Sequence, residues 1–171
     1  MAVTAIKPSS PAPDGARIVH ADTGYVMGVW DRHIIAIWRR EISAPGVATW
    51  SRAMAELQKQ HPGQRINVIV YIEPECLFAD SPITFEACVD AGKRFESVMA
   101  ATAIIYNREG FWSATMRGRF TAIHNESKVE PPYAMHPSLA GAIEWLGEHG
   151  ARDLAINPQA LELTVEALRR A

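Results

Sequence analysis

Two cysteines and six histidines are the residues of this chain that are best suited to nucleophilic or metal chemistry. Cys76 follows an apolar run and precedes a helix start, where a thiolate is favoured, but the carboxylates of Glu73 and Glu75 oppose that charge. We interpret Cys76 as a partly buried structural residue and Cys88 as a core residue. Spacings such as Cys-x-x-Cys or His-Glu-x-x-His are absent from the sequence, so we predict no metal site and no cofactor. The histidines are scattered at His20, His33, His61, His124, His136 and His149.

The glycine patterns that cradle phosphate groups or present a catalytic serine are also missing from the sequence. The segment Met116-Arg117-Gly118-Arg119 has no neighbouring glycine array, and no Gly-x-Ser-x-Gly elbow occurs. We therefore predict a protein that is not an enzyme. An enzyme that uses Ser81, Cys76 or a histidine is the remaining alternative.

Tryptophan and arginine mark one predicted helix as a candidate contact surface. Trp112, Arg117 and Arg119 lie on it, and both residue types are enriched at interface hot spots, so they could bind an acidic ligand or partner. In the alternative interpretation, Arg117 pairs with the carboxylate of Glu109 or Asp90. Trp112 then simply covers the core.

Trp30 and Trp38 lie on an early hairpin and also have two interpretations. If both side chains face outward, they form an apolar patch of the kind that marks a protein–protein contact. If they face the helices instead, they belong to the core, because alternation along a strand sends half of its residues to each face. The sequence leaves both alternatives open.

The composition is that of one ordinary globular domain. The 171 residues are 48% hydrophobic and 21% charged, and this length supports a core that needs no metal or disulfide. A formal net charge of −2 argues against a general nucleic-acid binder and against a polybasic membrane-surface protein. The sequence has no apolar run of membrane-spanning length and no secretion signal before its two cysteines. We therefore predict a cytoplasmic protein without a membrane span.

Apolar periodicity and turn residues predict the elements that must position these side chains. The predicted strands cover residues 16–21, 25–30, 33–39, 66–72, 102–106 and 133–136. Helices are predicted to begin after Ser43, Ser81, the turn at 107–110, Ser138 and Asn157. The predicted inward side chains of the last four helices are Phe85, Val89, Gly92, Phe95 and Met99; Phe111, Ala114, Phe120 and Ile123; Leu139, Ala142, Ile143 and Leu146; and Leu161, Val165 and Leu168.

Strands that alternate with helices of this length imply right-handed crossovers and a largely parallel sheet. The initial antiparallel hairpin makes that sheet mixed, so we predict an α/β fold with one extra helix at the C-terminus. The predicted organisation is a flexible N-terminal arm at 1–16, a domain at 17–150 and a C-terminal helical extension at 151–171.

The order of these elements resembles the STAS domain, the fold of bacterial anti-sigma-factor antagonists and their relatives. The likeness covers residues 17–150 and includes the buried strand at 66–73, the loop after it and a helix start at Asp80-Ser81. The segment 135–146, MHPSLAGAIEWL, is similar to the last strand and helix of small bacterial STAS-like proteins. The resemblance implies a non-catalytic module that regulates or binds a partner protein.

In the antagonists that this chain resembles, an Asp-Ser pair opens the second helix and a partner kinase phosphorylates the serine. The matching residues are Asp80 and Ser81, and a helix N-terminus offers N–H groups to a phosphate. The chain departs from the family pattern, because Pro82 follows the serine and the next Gly-Leu is missing. The charges of Glu73, Glu75 and Asp80 would also oppose a phosphate. The alternative is that Ser81 is a plain helix N-cap.

The residues and the resemblance together favour one function and leave one alternative. The favoured function is a STAS-like regulatory or protein-binding module with a partner of unknown identity, and a homodimer is compatible with it. The alternative is a module that binds a small anionic or lipid-like molecule at the carboxyl ends of the parallel strands, where open α/β sheets hold their ligands. The loops 73–80, which include Glu73, and 107–110 would line that ligand site.

Overall fold

A computed structural model describes residues 15–171 of the chain. The predicted arm at 1–16 lies outside the described residues except for Gly15 and Ala16, and Ala16 already begins the first strand. The strands of this region are β1 (Ala16–Ala21), β2 (Tyr25–Trp30), β3 (His33–Trp38), β4 (Glu41–Ile42), β5 (Ile66–Ile72), β6 (Leu77–Phe78), β7 (Met99–Tyr106) and β8 (Tyr133–His136). Its helices are α1 (Ala44–Gln60), α2 (Pro82–Phe95), α3 (Phe111–Ser127), α4 (Leu139–His149) and α5 (Pro158–Arg170).

Six strands form one mixed sheet in the order β1-β2-β3-β5-β7-β8. The pairs β1–β2 and β2–β3 are antiparallel, and the turn between β2 and β3 places Asp31 in the left-handed region with φ 49°. The pairs β3–β5, β5–β7 and β7–β8 are parallel. The predicted α/β class, its mixed and mostly parallel sheet and its N-terminal hairpin are therefore confirmed.

The chain order of the parallel strands decides which face each helix covers. Each new parallel strand is added on the same side of the previous one, so right-handed crossovers place α1, α2 and α3 on one face of the sheet. Their inward residues share one core with Val68 and Ile104. Helices α4 and α5 follow the last strand and cover the opposite face, where they pack on Ile69 and Ala103.

The predicted boundary between the second helix and the following strand is wrong. Met99, predicted on the inward side of the second helix, is the first residue of β7. Helix α2 ends at Phe95, and the Val98 N–H donates a 2.9 Å hydrogen bond to the Phe95 carbonyl in the turn that follows. Periodicity could not place this boundary, because the residues on both sides of it are buried. The two-residue strands β4 and β6, which pair with each other in parallel, were not predicted.

The predicted inward face of α3 is also partly wrong. Phe111 and Ala114 are exposed, whereas Met116 is buried and Phe120 packs partly buried against the core. Successive residues of a helix are separated by about 100°, so Phe111 points about 140° away from Met116. The two residues cannot both face the sheet, and the structure buries Met116.

The C-terminal helix belongs to the core of the domain. The side chains of Leu161 and Val165 are 0% exposed and that of Leu168 is 1% exposed, as predicted for the inward side of this helix. They cover β2 and β3 so closely that a Cβ atom on Gly28 would lie 2.6 Å from Leu168 Cδ1. Residues 151–171 therefore complete the second face of the sheet and are more than an extension.

We expect Leu161→Ala to lower the free energy of unfolding by about 2–5 kcal/mol, because it empties a fully buried site. Leu163→Ala on the exposed side of the same helix should change it by less than about 0.5 kcal/mol. Urea denaturation of both variants measures the difference. Equal, small effects would show that α5 does not hold the second face.

Buried polar groups connect the amino ends of β3 and β5 to the segment after α4. His33 Nδ1 lies 3.1 Å from the Trp30 carbonyl oxygen, and His33 Nε2 lies 3.4 Å from Asn67 Nδ2. Asn67 Oδ1 accepts a 2.8 Å hydrogen bond from the Ala151 backbone N–H. If Nδ1 donates and Nε2 accepts, the His33 ring is neutral, and burial accordingly lowers its pKa to about 4.

We expect this histidine to make the protein less stable as the pH falls from 6.5 towards 4. In that range the unfolded chain binds a proton at His33 and the folded chain does not, which costs at most about 3 kcal/mol. Urea denaturation at pH 7 and pH 4.5 measures the change. His33→Gln should be less stable at pH 7 but should lose less stability on acidification. An identical loss in both proteins would contradict the assignment.

Candidate functional site

The loops after the parallel strands and the starts of the following helices meet at one end of the sheet. They consist of residues 73–83 after β5, 106–119 after β7 and 136–138 after β8, and we call this region the carboxyl edge. Parallel strands place all of these loops at the same end, which is where α/β sheets hold their binding sites. Most of the residues predicted to have a function lie here.

Four large apolar side chains are exposed at the carboxyl edge: Leu77 (45%), Ile83 (67%), Phe111 (75%) and Trp112 (43%). In the rest of residues 15–171, the exposed large apolar side chains are Val19 and Leu163. The rings of Phe111 and Trp112 contact each other edge to face, with centroids 5.7 Å apart. Such a local concentration of exposed apolar groups is typical of a contact surface.

Arg108 supports the exposed indole of Trp112. Its guanidinium lies 4.7 Å from the centroid of the Trp112 ring and donates a 2.9 Å hydrogen bond to the Pro74 carbonyl oxygen. This cation–π contact connects the start of α3 to the loop after β5 and orients the ring. The predicted core position of Trp112 is therefore wrong, since the side chain is at the surface.

Asp80, Ser81 and Arg119 lie at the start of α2. Ser81 occupies the N-cap position, as predicted, but its side chain makes no capping hydrogen bond within residues 15–171. The Asp80 side chain is fully exposed, and Arg119 Nη2 lies 3.5 Å from its Oδ1 atom. Arg119 also lies over the Phe78 ring, 5.8 Å from the centroid. The structure thus brings together Asp80 and Arg119, which the sequence had placed in separate hypotheses.

A cleft of about 460 Å³ lies between the start of α3 and the ends of β7 and β8. Its lining includes Arg108, Arg117, Glu109 and His136, so two cations face one carboxylate. Within residues 15–171 Arg117 forms no ion pair, so the predicted pairing with Glu109 or Asp90 does not occur.

His136 has an unusual environment in this cleft. Its Nε2 atom is buried and has no hydrogen-bond partner within the described residues. Burial lowers the pKa of this histidine, and its ring packs against Trp145 with centroids 5.6 Å apart. A neutral imidazole with an unused nitrogen can accept or donate a hydrogen bond to a ligand.

His136 and Phe111 were not predicted from the sequence as site residues, and Arg108 was indicated only as part of the loop 107–110. Arg108 lies in a loop directly before a helix that opens with two aromatic residues, and His136 ends a parallel strand. Both positions point to the carboxyl edge. The exposure of Phe111 follows only once the buried side of α3 is known.

Glu73 stabilises the fold through an ion pair and does not form part of the exposed surface. Its carboxylate accepts two hydrogen bonds from the Arg169 guanidinium of α5, at 2.9 and 3.0 Å. Arg169 also binds Glu166 and lies 4.2 Å from the centroid of the Tyr71 ring. These contacts raise the pKa of Arg169, first through the hydrogen bond to Glu73. The predicted binding role of Glu73 is therefore not what the structure shows.

Trp30 and Trp38 lie on opposite faces of the sheet. Trp38 is 4% exposed and packs on Tyr25, its partner across the hairpin, with ring centroids 5.3 Å apart. Trp30 is half-buried on the α5 side, where its ring stacks on that of His33. The two indoles form no common patch, so the hypothesis of an outward aromatic hairpin is wrong.

Neither thiol is poised for nucleophilic chemistry. Cys76 is fully buried, and burial raises its pKa to about 12. Burial likewise raises the pKa of Cys88 to about 12. At neutral pH both groups are protonated, and a protonated thiol is a weak nucleophile.

Comparison of the chain with protein-family models, curated proteins and solved structures finds no match in any of the three. The STAS resemblance therefore stays a prediction. No helix within residues 15–171 is long and apolar enough to cross a membrane. In the same region no group of three or more histidine, cysteine, aspartate or glutamate side chains could hold a metal ion.

Proposed function

We propose that this protein is a non-catalytic, STAS-like regulatory module of the cytoplasm that binds a partner protein through its carboxyl edge. The observation that carries the proposal is the exposure of Phe111 and Trp112 on the same edge as Leu77 and Ile83. Burial of such side chains drives association, and tryptophan backed by arginine is a frequent hot spot. In contrast, Trp30 and Trp38 offer no comparable surface.

The charges at the carboxyl edge suggest the chemistry of the partner. Arg108 and Arg117 flank the first turns of α3, and Arg117 has no carboxylate partner in the described part of the chain. A partner segment that carries apolar residues next to aspartate or glutamate would fit this surface. Phosphorylation of Ser81 would add negative charge beside Asp80 and thereby change the same surface, which supports a regulatory role for that serine.

We expect a photoreactive phenylalanine analogue at position 111 to crosslink the partner in living cells. The same analogue at position 163, exposed on α5, is the matched control and should give no specific product. Mass spectrometry of the product identifies the partner. A product of twice the chain mass would make that partner a second copy of this chain.

With the purified partner, Trp112→Ala should weaken binding by about tenfold or more, because it removes the central aromatic contact. Leu163→Ala should change the affinity by less than about twofold. Calorimetric titration measures both. Equal crosslinking from positions 111 and 163, or an unchanged affinity in Trp112→Ala, would contradict the proposed surface.

The second candidate function is the binding of a small anion in the cleft, and a specific observation favours it. Arg108, Arg117 and His136 line the same cleft at the ends of β7 and β8, and the buried Nε2 atom of His136 has no hydrogen-bond partner within the described residues. Guanidinium groups and an imidazole are common ligands of phosphate and carboxylate groups. Part of the loop 107–110, which the sequence analysis placed at the alternative ligand site, lines this cleft.

For this candidate, the binding of inorganic phosphate should raise the pKa of the His136 ring. Burial lowers the pKa of His136, so the ring is neutral at pH 7, and a bound anion favours its protonated form. Titration of the His136 ring resonances by NMR measures this pKa and the affinity. Arg117→Gln should abolish binding, whereas Arg170→Gln, exposed at the end of α5, should not. Resonances that do not shift with phosphate would rule out this function.

A further inference from the structure

A second cavity, partly open to solvent, lies away from the carboxyl edge. It has a volume of about 150 Å³ and lies between the sheet and helices α1, α2 and α3. Val68, Val70 and Ile104 form its floor on the sheet, and Trp50 and Phe120 form part of its wall. A space of about this volume with an apolar lining is large enough for a molecule of the size of benzene.

The sequence of α2 explains why this space is open. The helix turns three small residues towards it, Cys88, Ala91 and Gly92. Beside these residues, Phe95 of α2 packs edge to face against Trp50 of α1, with ring centroids 5.6 Å apart. Gly92 cannot simply be enlarged to fill the space, since a Cβ atom there would lie 3.2 Å from the Ser127 side chain. The cavity therefore follows from the small residues that α2 places opposite the sheet.

The lining determines what the cavity can accept. Among the described residues, no aspartate, glutamate, lysine or arginine lines it, so a charged ligand would lose its hydration without gaining a charged partner there. Thr102 and His124 lie in the lining, and within the described residues their side chains form no hydrogen bond. The hydroxyl of Tyr133, in contrast, is already paired with Thr121 at 3.0 Å.

We propose that this cavity binds a small, uncharged, mainly apolar molecule, of the size of benzene to indole, that carries one hydrogen-bonding group. The ring of such a ligand would contact the aliphatic floor and Trp50. Its polar group would pair with the Thr102 hydroxyl. The site differs from the anion cleft in place and in chemistry, and it requires no partner protein.

The test uses phenol and benzene as probes of the full-length protein. Both should shift the NMR resonances of Trp50 and Thr102 in a saturable way and raise the melting temperature. Ala91→Leu fills the cavity, so it should weaken the binding of both probes by about tenfold or more. Ala122→Leu adds the same atoms to the exposed side of α3 and should leave binding unchanged.

Thr102→Val separates the polar contact from the apolar space, and it keeps the proposal testable if Ala91→Leu fails to fold. It replaces the hydroxyl by a methyl group of nearly the same shape. Phenol should then bind about fivefold more weakly, while benzene binds as before. Probes that leave the Trp50 and Thr102 resonances unshifted, or that bind Ala91→Leu as well as the native chain, would overturn the proposal.

Discussion

The hydrogen-bonded chain from the Trp30 carbonyl through His33 and Asn67 to the Ala151 N–H is the interaction on which the two-faced architecture depends. Since the parallel strands are added in chain order, all three crossover helices fall on one face and leave the other bare. Within residues 15–171, the chain after β8 supplies the helices that cover that face. Asn67 holds the segment between α4 and α5 against the amino end of the sheet, and α5 then packs over β2 and β3.

A second contact secures the same helix at the opposite end. Arg169 near the end of α5 binds the Glu73 carboxylate directly after β5, so α5 is attached at both ends of the sheet. This arrangement takes Glu73 away from the carboxyl edge, although the sequence places it beside the loops that form that edge. The edge is left with exposed Phe111 and Trp112 and with three arginines that Glu75, Asp80 and Glu109 balance in number, so its distinctive character is apolar.

The carboxyl edge and the cavity beneath α2 arise from different features of the α1–α2–α3 layer. Helix α3 begins beyond the end of β7 with its first aromatic residues outside the core, which produces the exposed surface. Helix α2 faces the sheet with small residues, and these leave the cavity open. The helices that form one site therefore also form the other, and a ligand in the cavity would contact the helices that carry the proposed partner surface.

The sequence alone determined the fold class, most strand boundaries and the start of each helix. These properties depend on apolar periodicity and on turn and capping residues within a few positions, as at Ser138, whose side chain accepts the predicted capping hydrogen bond from the Gly141 N–H. The Asp80-Ser81 helix start was found in the same way.

Only the tertiary structure decided which side chains are paired, which are exposed and which line the cavity. Glu73 is neutralised by Arg169, which lies 96 residues further along the chain, and Phe111 is exposed because Met116 takes the buried side of α3. The cavity beneath α2 depends on which side chains of α1, α2 and α3 meet over the sheet. Local pattern cannot supply such facts, because burial and pairing depend on the surface that folding brings opposite each residue.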